Sequence, residues 1–135
     1  MPGKILIVED DRPSARLVGY ALEKEGYQII LASNGIEGLK KAIEEAPDLV
    51  VLDVMLPGLD GFEVCHRLKT RPATTRLPIL MLSAKAQESD LLAGEKVGAD
   101  KYLVKPVDPS YIVETVGSLL REHNSLPATP SGQGS

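Results

Sequence analysis

At 135 residues the chain has the length of one domain, and a domain of that size buries a core without disulfide or metal staples. Acids outnumber bases, 19 to 15, for a formal net charge of −4, which argues against a nucleic-acid surface built on a basic stripe. The one cysteine, Cys65, excludes an internal disulfide and fits a reducing cytoplasm. No apolar run approaches the ~18 residues of a membrane helix, and Met1-Pro2-Gly3-Lys4 leads straight into a strand, unlike a signal peptide.

Along the chain, short apolar runs alternate with amphipathic stretches. Lys4–Val8 (KILIV) is an unbroken run of the kind found in a central parallel strand covered on both faces. Pro13 can open a helix that carries Ala15, Val18 and Leu22 inward and stops at Gly26. Tyr27–Ala32 reads as a second strand. Asn34 can cap a helix with Ile36, Leu39 and Ile43 on its apolar face, ended by Pro47. Leu49–Leu52 (LVVL) is a third strand, ending in Asp53. A loop with Pro57-Gly58 precedes a helix that turns Phe62, Cys65 and Leu68 inward. Pro78 opens a fourth strand, Ile79–Leu82, followed by a helix over roughly Gln87–Val97 that Gly98 terminates. Lys101–Val104 is the fifth strand. Asp108-Pro109 supplies an N-cap and first-turn proline for a last helix with Val113, Val116 and Leu120 as its stripe.

Five strand–helix repeats predict an α/β, flavodoxin-like (βα)5 doubly wound parallel sheet with right-handed crossovers. The most uniformly apolar strands, the first and third, belong in the middle, and Tyr27–Ala32 looks like an edge, so the expected order is 2-1-3-4-5. The predicted domain spans residues 1–123. From about Asn124, Ser, Pro, Gly, Thr and Gln dominate, so 124–135 reads as a flexible tail or the start of an interdomain linker.

In such a sheet, chemistry gathers outside the carboxyl ends of the strands. Those ends carry Glu9 and Asp10, with Asp11 just beyond, and Asp53. Converging carboxylates raise one another's pKa; a hard divalent cation relieves the repulsion, and carboxylates with a backbone carbonyl and waters suit Mg2+. Taken singly, an acid after a strand more often caps the next helix, and Asp11 fits that role. The other strand ends shift the balance, because the fourth brings the hydroxyl of Ser83 and the fifth the ammonium of Lys105 to the same edge. A metal, a lysine and a hydroxyl around one carboxylate are what phosphoryl transfer requires. His66, beside Cys65 on the third helix, and His123, near the end of the last, lie away from that edge; Cys65 reads as a small core hydrophobe.

These segments resemble the receiver domains of response regulators in two-component (histidine kinase–response regulator) phosphorelay systems. The matching text is ILIVEDD at 5–11, LDVMLPGLDGFEV at 52–64, PILMLSA at 78–84 and GADKYLVKP at 98–106, and the likeness runs from about Lys4 to Arg121. The resemblance implies Asp53 as phosphoacceptor. It implies Glu9 and Asp10 as the acidic metal pair, with the Met55 backbone carbonyl as a further Mg2+ ligand. Ser83 would hydrogen-bond the phosphoryl group, Lys105 would contact it, and Tyr102 would change rotamer with it. It also implies a cis Lys105–Pro106 bond. Ser83 stands where Thr is equally common, and Glu9 where Asp is usual; neither change removes a functional group. The implied partners are a sensor histidine kinase or phosphotransfer protein and a downstream effector. The fourth-helix–fifth-strand–fifth-helix face is expected to carry the signal and, in many relatives, homodimerisation. Neither nucleic acid nor membrane is an expected direct partner of this chain.

Other readings meet specific obstacles. Aspartyl-phosphate hydrolases of the haloacid-dehalogenase type place a second Asp two residues after the nucleophile, where this chain has Met55. A flavin- or nucleotide-binding domain of this fold needs a Gly- or Ser/Thr-rich loop after the first strand, where this chain has three acids. A degenerate receiver, acting as a phosphorylation-independent binding module, would usually have lost an acid, the lysine or the hydroxyl. The chain is therefore expected to be a switch that catalyses only its own modification, not an enzyme with a separate substrate.

Overall fold

A computed structural model describes residues 3–125. The elements are β1 (Lys4–Val8), α1 (Arg12–Glu23), β2 (Gln28–Ala32), α2 (Gly35–Glu44), β3 (Leu49–Asp53), α3 (Gly61–Lys69), β4 (Ile79–Ser83), α4 (Glu88–Lys96), β5 (Lys101–Val104) and α5 (Pro109–Ser125). All four strand pairings are parallel and the order is β2-β1-β3-β4-β5, as the apolar patterning predicted. Every position of β3 and β4 is buried. Sheet edges fall to β2, with Gln28 and Leu31 exposed, and to β5, with Lys101 and Val104 exposed.

Alternate strand residues face opposite sides, so the sheet divides two cores. Leu6, Val8, Val50, Leu52, Ile79 and Met81 pack beneath Ala42 of α2 and Val64, Cys65 and Leu68 of α3. Ile5, Ile7, Leu49, Val51, Leu80 and Leu82 face Ala15 and Leu22 of α1 and Ile112 and Val116 of α5. Each fully buried side chain of this size contributes about 1.5–3 kcal/mol of transfer free energy, which is why the strands converge on one geometry.

Most punctuation signals act as predicted. Asp11 caps α1, accepting the Ser14 N–H at 3.0 Å; Asn34 caps α2 through the Glu37 N–H at 2.8 Å. Asp108 accepts the Ser110 N–H at 2.9 Å where α5 begins. Gly26 and Gly98 take φ of +97° and +94°, the left-handed conformation that glycine adopts without strain. The polar segment expected from Asn124 begins inside α5, which continues to Ser125; the rest of that segment lies outside the described residues.

Two helix faces differ from expectation. In α2 the buried positions are Gly35, Gly38 and Ala42, with Leu39 partly buried against the core, while Ile36 is 65% exposed and Ile43 37%. The reason is proximity: a Cβ at Gly38 would lie 2.7 Å from Val8 Cγ1, so only small residues fit the facing stripe and the isoleucines turn outward. In α5 the buried positions are Ile112, Thr115 and Val116, while Val113 and Leu120 are only partly buried. Smaller shifts lie at element ends: β2 starts at Gln28, and β3 and β4 extend to include Asp53 and Ser83.

Cys65 is fully buried, its Sγ 3.5 Å from the Val97 carbonyl oxygen. Burial pushes the thiol up to about 12. The folded protein should therefore resist thiol-disulfide reagents at pH 8, with labelling rising to one equivalent only in denaturant. Prompt labelling of the native chain would contradict this packing.

Candidate functional site

The carboxyl ends of β1, β3, β4 and β5 meet at one edge of the sheet. Register sets Val8 beside Leu52, Asp53 beside Leu82, and Ser83 beside Val104. The next residues out, Glu9, Asp10 and Lys105, therefore project around Asp53. Glu9 and Asp53 are buried, at 8% and 7% exposure, an unusual place for carboxylates unless they are paired. Lys105 pairs with both: its Nζ donates to Glu9 Oε1 at 2.6 Å and to Asp53 Oδ2 at 3.2 Å. Burial works against the charge on Lys105, but the hydrogen bond to Glu9 and the charge of Asp53 outweigh it, and the ammonium pKa is raised. The other oxygen of each acid is held by backbone: Asp11 N–H donates to Glu9 Oε2 at 3.1 Å and Met55 N–H to Asp53 Oδ1 at 3.2 Å.

Glu9, Asp10 and Asp53 each offer a carboxylate oxygen within 4.8 Å of the others. Three carboxylates against one ammonium leave a formal excess of two negative charges, the amount a divalent cation neutralises. The donors are all oxygen, which suits Mg2+ and gives no soft or imidazole ligand to favour a transition metal. Asp11, included in the sequence cluster only as a neighbour, is committed to capping α1; its hydrogen bonds from Ser14 lower its pKa.

Ser83 is fully buried, and its Oγ accepts the Lys85 N–H at 3.1 Å. Its backbone carbonyl accepts Lys105 N–H at 2.8 Å, tying the hydroxyl and ammonium strands together. Tyr102 is half-buried and donates its hydroxyl to the Lys85 carbonyl at 2.9 Å; burial raises its phenol pKa. Ser83, Lys85 and Tyr102 thus form one chain of contacts from the acidic edge to α4. The Lys105–Pro106 bond is cis. Met55 exposes its side chain (56%) and, with Asp10, Phe62 and Lys85, lines a cavity of roughly 500 Å3 beside the acids. A larger cavity, about 1250 Å3, opens at the opposite edge among Gly3, Pro47, Asp48 and Pro78; it brings no group to the acids. His123 lines that far cavity and His66 is exposed on α3, so neither imidazole joins the site.

Gly61 is a residue that sequence reasoning missed. Its N–H donates to the Val54 carbonyl at 2.8 Å, and a Cβ there would overlap the Asp53 carbonyl oxygen and lie 2.7 Å from Val54 Cα. The signal was the Asp60-Gly61 pair: an N-cap followed by the one residue that permits such an approach. Gly61→Ala is expected to destabilise the fold by about 1–3 kcal/mol and to weaken Mg2+ binding by shifting Asp53 and Met55. Urea melts with and without Mg2+ check this, and the native chain should gain more from the ion than the variant.

The doubly wound sheet thus carries an acid–lysine–hydroxyl constellation at its carboxyl edge. The family model described as the response regulator receiver domain matches residues 5–117, and the chain belongs to that family. It is 48% identical over 133 residues to the alkaline phosphatase synthesis transcriptional regulatory protein PhoP of Bacillus subtilis (strain 168), covering 98% of this chain and 54% of that protein. The chain thus spans about half the length of that relative. Among solved structures it resembles a putative response regulator from Chloroflexus aurantiacus J-10-fl, with TM-score 0.85 and 39% identity over 90% of this chain and 99% of that one. A CheY-like receiver domain protein from Methanospirillum hungatei JF-1 gives TM-score 0.86 and 29% identity over 92% and 98%. Membership makes this chain a receiver domain of a two-component system, a signalling protein and not a typical enzyme.

Proposed function

We propose that this chain is a phosphorylation switch that accepts a phosphoryl group on Asp53 from a partner histidine kinase or phosphotransfer protein. The observation that carries the reading is Lys105 Nζ held between Glu9 Oε1 and Asp53 Oδ2, at 2.6 and 3.2 Å, beside Asp10. Glu9, Asp10, Asp53 and the Met55 carbonyl are the proposed holders of Mg2+. When bound, that ion supplies positive charge to the oxygens of the transferring group.

The residues divide the remaining work. A carboxylate oxygen of Asp53 attacks phosphorus; the O–P bond forms as the P–N bond to the kinase histidine breaks, and the departing imidazole keeps the electron pair. Lys105 already touches Asp53 and is placed to follow charge onto the phosphoryl oxygens. Ser83 accepts from Lys85 and contacts the Tyr102 phenol; its hydroxyl hydrogen would turn to the phosphoryl group. That donation draws the loop after β4 inward, and Tyr102, bonded to Lys85, moves with it. The face built by α4, β5 and α5, where Leu91, Leu92, Val104 and Tyr111 are exposed, is then the surface an effector or a second copy reads. In energetic language the phosphoryl group shifts a balance between two states by its difference in affinity for them.

The named relative is a transcriptional regulator and is about twice as long; an output domain joined through 124–135 is the corresponding arrangement for the protein that contains this domain. The receiver itself, at −4, would act through protein contacts and not on nucleic acid. A cytoplasmic setting agrees with the single cysteine; among the described residues no helix is long and apolar enough to cross a membrane.

Intact mass after incubation with acetyl phosphate tests the reading. One phosphoryl adduct, dependent on Mg2+ and labile to hydroxylamine, is the expected result. A chain left unmodified by both acetyl phosphate and kinases would be a binding module instead. The lifetime of the adduct follows from Met55, two residues past Asp53, which cannot orient a hydrolytic water by hydrogen bonding. Met55→Asn should hasten dephosphorylation, up to about tenfold, less than a fully positioned base provides; an unchanged decay rate would show that this position does not govern the water.

A further inference from the structure

α4 packs on the sheet in an unusual way: its only buried residue is Gly94. Leu91 and Leu92, the large apolar residues of the helix, are 39% and 56% exposed. What Gly94 faces is the ring of Tyr102. A Cβ built at position 94 would lie 2.8 Å from Tyr102 Cδ2, 3.3 Å from Cε2 and 3.4 Å from Met81 Sδ. Met81 and Tyr102 are register partners on β4 and β5, and Met81 is fully buried in the core. Of the two, the tyrosine at the sheet edge is therefore the one with room to move.

We propose that Gly94 is the positioning residue of the Tyr102 switch. Its missing side chain makes the recess in which the ring lies under α4, with the phenol on the carbonyl of Lys85, the loop residue whose N–H meets Ser83 at the end of β4. The inference rests on the proposed function for its consequence, but the recess itself exists without phosphorylation. Glycine inside a helix is costly relative to alanine, and here the close approach of the ring supplies a physical reason for it. Because α4 has no large buried side chain of its own, the ring under Gly94 is one of its supports on the sheet, and a displacement of Tyr102 is felt by the helix. If the ring-in arrangement is the one compatible with Ser83 engaging the phosphoryl group, any side chain at 94 biases the molecule away from the phosphorylated state.

The test uses the full chain labelled with 3-fluorotyrosine, the Tyr102 fluorine line being identified by its loss in Tyr102→Phe. In the native chain this line should be shielded from a soluble paramagnetic relaxation agent. In Gly94→Ala it should shift and broaden several-fold more, and the variant should melt at lower temperature. In a Tyr102→Ala background, the same Gly94→Ala change should be neutral or raise the melting temperature, because the clash is gone and alanine favours helix. An unmoved Tyr102 line, or equal destabilisation in both backgrounds, would overturn the proposal and assign the glycine to packing against Met81 or backbone. Titration with beryllofluoride and Mg2+, a phosphoryl mimic, then reads the coupling, with at least about fivefold weaker binding expected in Gly94→Ala. Equal affinity in the two proteins would remove the coupling. Absence of binding in the native chain would instead count against Asp53 as phosphoacceptor, leaving the recess to be judged by the fluorine line and the melting temperatures.

Discussion

Asp53→Asn is expected to abolish the acetyl phosphate adduct while leaving the protein folded. The amide has nearly the shape of the carboxylate, so it can keep accepting the Met55 N–H that now reaches Oδ1 at 3.2 Å. Lys105 retains its 2.6 Å bond to Glu9, so no buried charge is orphaned, and removing one of three neighbouring carboxylates relieves repulsion. Stability should change by less than about 1 kcal/mol, the size of one hydrogen bond exchanged for another. Phosphorylation should fall to zero, because an amide oxygen is too weak a nucleophile to displace the donor. Intact mass and a urea melt of the same sample separate the two effects. An adduct that survives would place the phosphoacceptor elsewhere, and a variant that fails to fold would make Asp53 structural first.

Lys105→Met is expected to act on both rate and stability. Removing a positioned positive charge from a charge-developing site costs about 10²–10³ in rate, read as the initial rate of acetyl phosphate labelling. The fold also loses the partner of two buried carboxylates. Breaking a fully buried pair costs about 3–5 kcal/mol, but Lys105 keeps 29% of its side-chain exposure, so solvent screening brings the expected loss nearer 1–2 kcal/mol. Saturating Mg2+ should recover part of that loss, since an ion bound among the same oxygens stabilises the folded state by mass action. If Mg2+ stabilises native protein and variant equally, the lysine and the ion do not share the site. The pH dependence has a definite sign. The folded pKa of Lys105 is raised, so its contribution is complete below the ordinary lysine value and is lost as pH climbs through the folded one. The stability gap between native and variant should therefore be constant through neutral pH and narrow only in the alkaline range.

Much of this was legible in the sequence. Unbroken apolar runs at Lys4–Val8 and Leu49–Leu52 identified central strands, because only residues covered on both faces dispense with alternation. Caps and breakers such as Asn34, Gly26 and Asp108 act locally, so their signals need no tertiary context. That Glu9, Asp10, Asp53, Ser83 and Lys105 gather at one edge was legible because each ends or follows a strand, and a parallel sheet brings those strand ends to one edge. The helix faces were less legible. Ile36 and Ile43 have the spacing of a buried stripe, yet glycines and an alanine take the inner positions of α2, since the nearness of β1 leaves no volume for a branched side chain.

By itself, then, the sequence determined the element order, the parallel sheet and the identity of the chemical groups, all of which follow from short-range patterning and strand direction. Tertiary structure decided how those groups share the site. Glu9, not Asp10, holds Lys105 against Asp53; Gly61 presses against the backbone of β3; and Gly94 makes room for Tyr102. The Lys105 pairing joins residues 96 and 52 positions apart, and both glycine contacts are set by the packing of helix on sheet, which local spacing does not fix.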